Sequence, residues 1–171
     1  GEQEMALPFD VLLLALGRVA NTEGYGLEAL GIGTSETRAI TTDAFLQTRY
    51  PNIYACGDVA GPYQFTHVAS HQAWYAAVNA LFGSLRRFRA DYRVVPWATF
   101  TDPQVARVGL SEEEARRAGT PYTASSYRLD DLDRAIADGE THGFVKVLTR
   151  PGTDVILGAT CVSTHAAETI A

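Results

Sequence analysis

Residues 10–16, Asp-Val-Leu-Leu-Leu-Ala-Leu, constrain the fold more than any other stretch of the chain. Their apolar side chains follow one another without alternation, so a strand built from them has no face to offer water. Such a strand is predicted to be buried on both faces, as in a parallel sheet covered by helices. The same run is far too short to cross a bilayer, which takes about 20 residues. Gly17-Arg18-Val19-Ala20-Asn21-Thr22 ends it as a turn. A short helical stretch is predicted around Leu27 and Leu30, closed by Gly31, and then a pair of short extended strands over 40–47. Pro51-Asn52 turns the chain into a second short apolar strand, 53–56, followed at once by Gly57-Asp58-Val59-Ala60-Gly61.

After a loop, residues 66–82 read as a helix closed by Gly83. Its small residues Ala69, Ala73, Ala76, Ala77 and Ala80 fall three and four apart, which predicts a smooth stripe on one face. The stretch 84–92 carries Arg86, Arg87 and Arg89 with no apolar period and reads as a solvated connector. The second half has a different rhythm. Strands are predicted over 94–101, 105–110, 123–129, 143–150 and 155–162, the last two forming a hairpin across Pro151-Gly152-Thr153-Asp154. Ser111-Glu112-Glu113-Glu114 is a capping box for a helix that stops at Gly119. Strands in runs with helices segregated between them indicate an α+β domain with an antiparallel sheet.

The 171 residues are 46% hydrophobic and 20% charged, enough to bury a core without a disulfide framework. Cys56 and Cys161 accordingly read as reduced, buried thiols of a cytoplasmic protein. With 14 Lys+Arg against 20 Asp+Glu the net charge is -6, which argues against nucleic acid as a partner. Gly1-Glu2-Gln3-Glu4 is acidic where a secretory signal would be basic, and no membrane segment is expected.

Chemistry concentrates at the end of the second strand. A buried strand closing in Gly57-Asp58 presents a carboxylate at its carboxyl end, where open α/β sheets bind ligands. Gly57 lets a ligand lie against the backbone, and Asp58 can accept hydrogen bonds from sugar-like hydroxyls. The helix that starts at Thr66 adds free N–H groups and a partial positive charge. A carboxylate for hydroxyls and a helix N-terminus for an electron-rich edge would suit a flavin; a plain turn after a strand is the alternative. His67 and His71 stand four apart without a third ligand in sequence, so they read as ordinary helix positions and no metal is expected. Cys56 reads as a small buried hydrophobe, and Asp130, Asp131 and Asp133 as a solvated turn.

The segment Tyr54-Ala55-Cys56-Gly57-Asp58-Val59 resembles the second FAD-binding motif of the flavin-dependent pyridine nucleotide-disulfide oxidoreductases, a family that includes mercuric reductase, dihydrolipoamide dehydrogenase and glutathione reductase. Three more segments match in the family's order. Ala15-Leu16-Gly17-Arg18-Val19-Ala20-Asn21-Thr22 resembles the signature closing the nicotinamide-nucleotide domain, with Ala20 in place of the usual proline. Ala98-Thr99-Phe100-Thr101-Asp102-Pro103, with Val108-Gly109-Leu110-Ser111-Glu112, resembles the opening strands of the dimerisation domain. Gly158-Ala159-Thr160-Cys161-Val162 and His165-Ala166-Ala167-Glu168-Thr169-Ile170 resemble its later hairpin strand and helix.

The resemblance implies the end of a nicotinamide-nucleotide domain over 1–22, the C-terminal part of an FAD-binding α/β domain over 23–90, and an antiparallel-sheet dimerisation domain, truncated at its C-terminus, over 91–171. It implies FAD and NAD(P)H as cofactors, a homodimer, and a disulfide or mercuric ion as substrate. It assigns the ribitol hydroxyls of FAD to Asp58 beside Gly57, and the flavin pyrimidine edge to the backbone N–H of Thr66, with Phe65 and His67 packed alongside. Gly17 corresponds to a glycine near the nicotinamide nucleotide. No Gly-x-Gly-x-x-Gly and no Cys-x4-Cys pair occurs in the chain, so no catalytic residue is assigned. The chain thus reads as a piece of an oxidoreductase; by itself, the alternative is a catalytically inactive dimerisation module.

Overall fold

The structure is a computed structural model that describes residues 6–171. Two units separate between Ala90 and Asp91. In the later unit the predicted strands pair into one antiparallel sheet of order β1-β2-β5-β4-β3. Its strands are β1 (Trp97–Thr99), β2 (Gln104–Gly109), β3 (Thr123–Arg128), β4 (Phe144–Thr149) and β5 (Ile156–Ser163). The β4–β5 hairpin turns through Gly152 at φ +70, and the Arg150 N–H donates to the Val155 carbonyl at 2.9 Å. A register irregularity lies at Leu148 and Thr149.

Small side chains decide where this sheet is covered. Ala106 on β2 stands directly opposite Cys161 on β5, and both are buried. That shallow spot lets the short helix α4 (Ala166–Ile170) seat Ala166 against them, with Ala98, Val145 and Ile170 closing the cluster. Cys161 is therefore a core residue, as expected of a buried thiol. Helix α2 (Glu112–Arg117) starts as the capping box predicts. Ser111 Oγ accepts the Glu114 N–H at 3.2 Å, and the Glu114 carboxylate accepts the Ser111 N–H at 2.8 Å. Gly119 follows at φ +63.

The solvated turn expected at Asp130, Asp131 and Asp133 has all three carboxylates exposed; it is a 3-10 turn, Leu129–Asp131, that runs on into an unexpected helix α3 (Asp133–Asp138). Leu129 and Ala135 are buried and anchor the two pieces, while Arg128 pairs with Asp130 and Arg134 with Asp138 on the outside. The carboxylates sit where a helix tolerates them: Asp133 in the first turn, Asp138 one turn beyond Arg134.

The earlier unit is built on α1 (Thr66–Phe82), whose bounds match the sequence reading. Its buried face does not. Val68, Gln72, Ala76 and Asn79 form the inward stripe, while Ala73, Ala77 and Ala80 are exposed. The two amides on that stripe are satisfied by backbone. Asn79 donates to the carbonyls of Phe45 and Phe88, at 3.1 and 2.8 Å, and accepts the Phe88 N–H at 2.8 Å. Buried polar groups with such partners act as staples. Gly83 ends the helix in right-handed conformation, φ -62, not as a left-handed cap.

The strand expected over 10–16 does not form, and its side chains are exposed: Val11 is 86% accessible and Leu16 92%. No strand among the described residues pairs with it, so the run has neither a hydrogen-bonding ladder nor a covering face. The strands expected over 40–47 and 53–56 reduce to two isolated antiparallel bridges, Thr34 with Ile40 and Gln47 with Tyr54. The helix expected near Leu27 is a turn, in which the Gly31 N–H reaches the Glu28 carbonyl and Ile32 N–H reaches that of Leu27. Cys56 is half-buried, not buried. No helix among the described residues is long and apolar enough to cross a membrane.

Candidate functional site

Cys56 is extended and hands the chain to a 3-10 turn over Gly57–Val59. Gly57 makes that change of direction at φ +79, a region that L side chains rarely adopt. Space makes the same demand: a Cβ on Gly57 would lie 3.3 Å from the Cβ of Ala69 on α1. The glycine thus lets the turn rest directly on the helix. Asp58, next in the chain, is carried outward with its side chain half exposed.

Asp58 faces a cleft of about 440 Å³ lined also by Gly17, Arg18, Gly61, Tyr63 and Phe65. Arg18 Nη1 stands 4.0 Å from Asp58 Oδ2, with both side chains largely in water. A loose pair of that kind is worth roughly 0–1 kcal/mol, little obstacle to a ligand hydroxyl taking the carboxylate. At the rim, Tyr63, Phe65 and His67 form a ladder of near-parallel rings, with centroids 6.2 and 5.4 Å apart. Phe65 is also the N-cap of α1 and offers no side-chain cap, leaving the helix start to other acceptors.

Of the sequence-predicted residues, the fold brings Gly17, Asp58 and Phe65 to one cleft. Gly57 is buried behind it, and Thr66 and His67 are exposed on the first turn of α1. Arg18, Tyr63 and Gln72 were not singled out as site residues from sequence. Gln72 lies four residues from both Val68 and Ala76, but the alanines share that helical spacing, so spacing alone does not mark it. No group of three or more His, Cys, Asp or Glu side chains suited to a metal ion occurs among the described residues.

In the later unit the charged contact with most consequence is Arg107 with Glu114. The Arg107 guanidinium and the Ser111 N–H together hold the Glu114 carboxyl below the usual glutamate range. Arg107 also lies over the Trp97 ring, 4.9 Å from its centroid.

Residues 1–73 match the family described as pyridine nucleotide-disulphide oxidoreductase, and residues 95–171 match the dimerisation domain of the same family. The chain belongs to the pyridine nucleotide-disulphide oxidoreductases. Among curated members it is 38% identical to the dihydrolipoyl dehydrogenase of Chlamydia muridarum over 162 residues, covering 95% of this chain and 34% of that protein. It is equally 38% identical to the mercuric reductase of Staphylococcus aureus over 168 residues, 98% of this chain and 30% of the relative. The chain therefore spans about a third of the length of the curated relatives it matches. Among solved structures, LpdA from Mycobacterium tuberculosis superimposes with a TM-score of 0.80 at 33% identity, over 92% of this chain and 34% of that one. RclA from Escherichia coli, an HOCl-induced flavoprotein disulfide reductase, gives 0.76 at 31% identity, over 91% and 36%. The antiparallel sheet of the later unit is the dimerisation-domain part of this oxidoreductase fold.

Proposed function

We propose that this chain is the part of an FAD-dependent, NAD(P)H-linked disulfide or mercuric-ion oxidoreductase that supplies the flavin ribitol contact and the homodimer surface. Residues 1–22 close the nicotinamide-nucleotide domain, 23–90 form the C-terminal part of the FAD domain, and 91–171 form the dimerisation domain. The parent enzyme works in the cytoplasm. One observation carries the reading: the Asp58 carboxylate opens into a cleft shared with Gly17 and Phe65, in a chain whose two halves match one flavoprotein family.

The residues present fit a flavin. Asp58 accepts hydrogen bonds from the ribitol hydroxyls, in place of its loose contact with Arg18. The Thr66 backbone N–H, on a first turn without a side-chain cap, donates to the pyrimidine edge, and the helix end favours negative charge there. Phe65 and His67 wall that edge and keep water from it. Gly17 leaves backbone open beside the nicotinamide nucleotide. When bound, the flavin supplies two-electron transfer between that nucleotide and the substrate. The isolated 171-residue chain, without the family's glycine-rich fingerprint or cysteine pair, acts as a dimerisation module.

The protein at its natural length, purified and scanned for visible absorbance, is expected to be yellow and to oxidise NAD(P)H. The 171-residue chain alone is expected to be colourless and inactive. A natural-length protein without flavin absorbance would overturn the proposal.

A further inference from the structure

The geometry points to Gln72 as a positioning residue that fixes the Asp58 carboxylate for its ligand. Gln72 is wholly buried in the middle of the inward face of α1, with 0% of its surface accessible. Its Oε1 accepts the N–H of Gly57 at 2.6 Å, and its Nε2 donates to the carbonyl of Gly61 at 2.6 Å. One amide thus spans the Gly57–Gly61 loop from end to end and ties both ends to one helix position. Asp58 is held between the two tied residues.

Both ends of the loop have reason to need such a tie. Gly57 and Gly61 sit at φ +79 and +61, and glycine is the residue with most backbone freedom to lose. The absence of a side chain on Gly57 leaves room beside Ala69 but does not itself orient the loop. These two hydrogen bonds to the loop point in opposite senses, one accepted and one donated, so only one orientation of the loop satisfies both. A leucine at position 72 would fill space without selecting that orientation. The side chain does not line the cleft, so its effect on a ligand runs through the loop.

The inference rests on the flavin reading of Asp58 for its ligand, and the test separates the two. Gln72→Met keeps the length and burial of the side chain and removes both hydrogen bonds. In the natural-length protein it is expected to weaken FAD binding about tenfold, the factor that one lost buried hydrogen bond sets. The Gln72→Met, Asp58→Ala double variant is expected to bind no more weakly than Asp58→Ala alone, because Gln72 acts through Asp58. In the 171-residue chain, hydrogen exchange at the Gly57 amide is expected to quicken in Gln72→Met. It is expected to stay slow in Gln72→Glu, which keeps the acceptor, and that variant carries the test if the methionine variant does not fold. Unchanged FAD affinity in Gln72→Met, fully additive losses in the double variant, or fast Gly57 exchange in Gln72→Glu would overturn the role of Gln72. Unchanged FAD affinity in Asp58→Ala, with Gly57 exchange still dependent on Gln72, would overturn the flavin reading and the ligand role with it.

Discussion

Two separate demands meet at Gly57: a left-handed φ of +79, and a gap to the Ala69 Cβ that a side chain would narrow to 3.3 Å. Alanine there meets both penalties at once. Gly57→Ala is therefore expected to destabilise the earlier unit by about 1–3 kcal/mol, read from urea denaturation of the 171-residue chain. An unchanged midpoint would mean that the turn does not rest on α1 as described. At this scale the sequence was informative where chemistry is local. Gly57 and Asp58 stood out because a Gly-Asp pair after an apolar strand has few uses. Gln72 did not, because an amide among alanines shows nothing of its partners until the loop folds back over it.

The boundaries of α1, the start of α2 and the β4–β5 hairpin proved legible because their signals lie within a few residues. Ser111 and Glu114 cap α2 reciprocally, and the Pro151-to-Asp154 turn joins β4 to β5, each with partners close in sequence. The inward face of α1 was not legible. A stripe of alanines and a stripe running Val68, Gln72, Ala76, Asn79 both have helical spacing, and only the segments to be held, around Phe45, Gly57 and Phe88, choose between them. The capping carboxylate of α2 makes a prediction at this scale. Glu114 has its pKa lowered by Arg107 and Ser111, so its stabilising contribution is present above the ordinary glutamate range and lost as pH falls through the lowered value. Thermal unfolding followed from neutral to acid pH is expected to show a shallower acid loss in Glu114→Gln than in the parent chain. Identical acid limbs would show that the contact with Arg107 adds no pH-dependent stability.

For the molecule as a whole, the run over 10–16 is the clearest case of an expectation that the structure does not meet. Its composition is that of a strand covered on both faces, yet its side chains stand exposed, because burial of a parallel strand belongs to its neighbours and the described residues provide none. The later unit shows the converse: its strands pair with one another, so the pattern and the outcome agree. The chain spans about a third of the length of the curated relatives it matches, and it holds the five-stranded sheet of the later unit. The ligand contact proposed for it is Asp58. Equilibrium dialysis of FAD against the natural-length protein and its Asp58→Ala variant tests that assignment most directly. Loss of a hydrogen-bonding carboxylate is expected to weaken binding by about 10–100-fold, leaving the variant stripped of flavin under conditions in which the parent stays yellow. A variant that keeps its full flavin absorbance through dialysis would contradict the account.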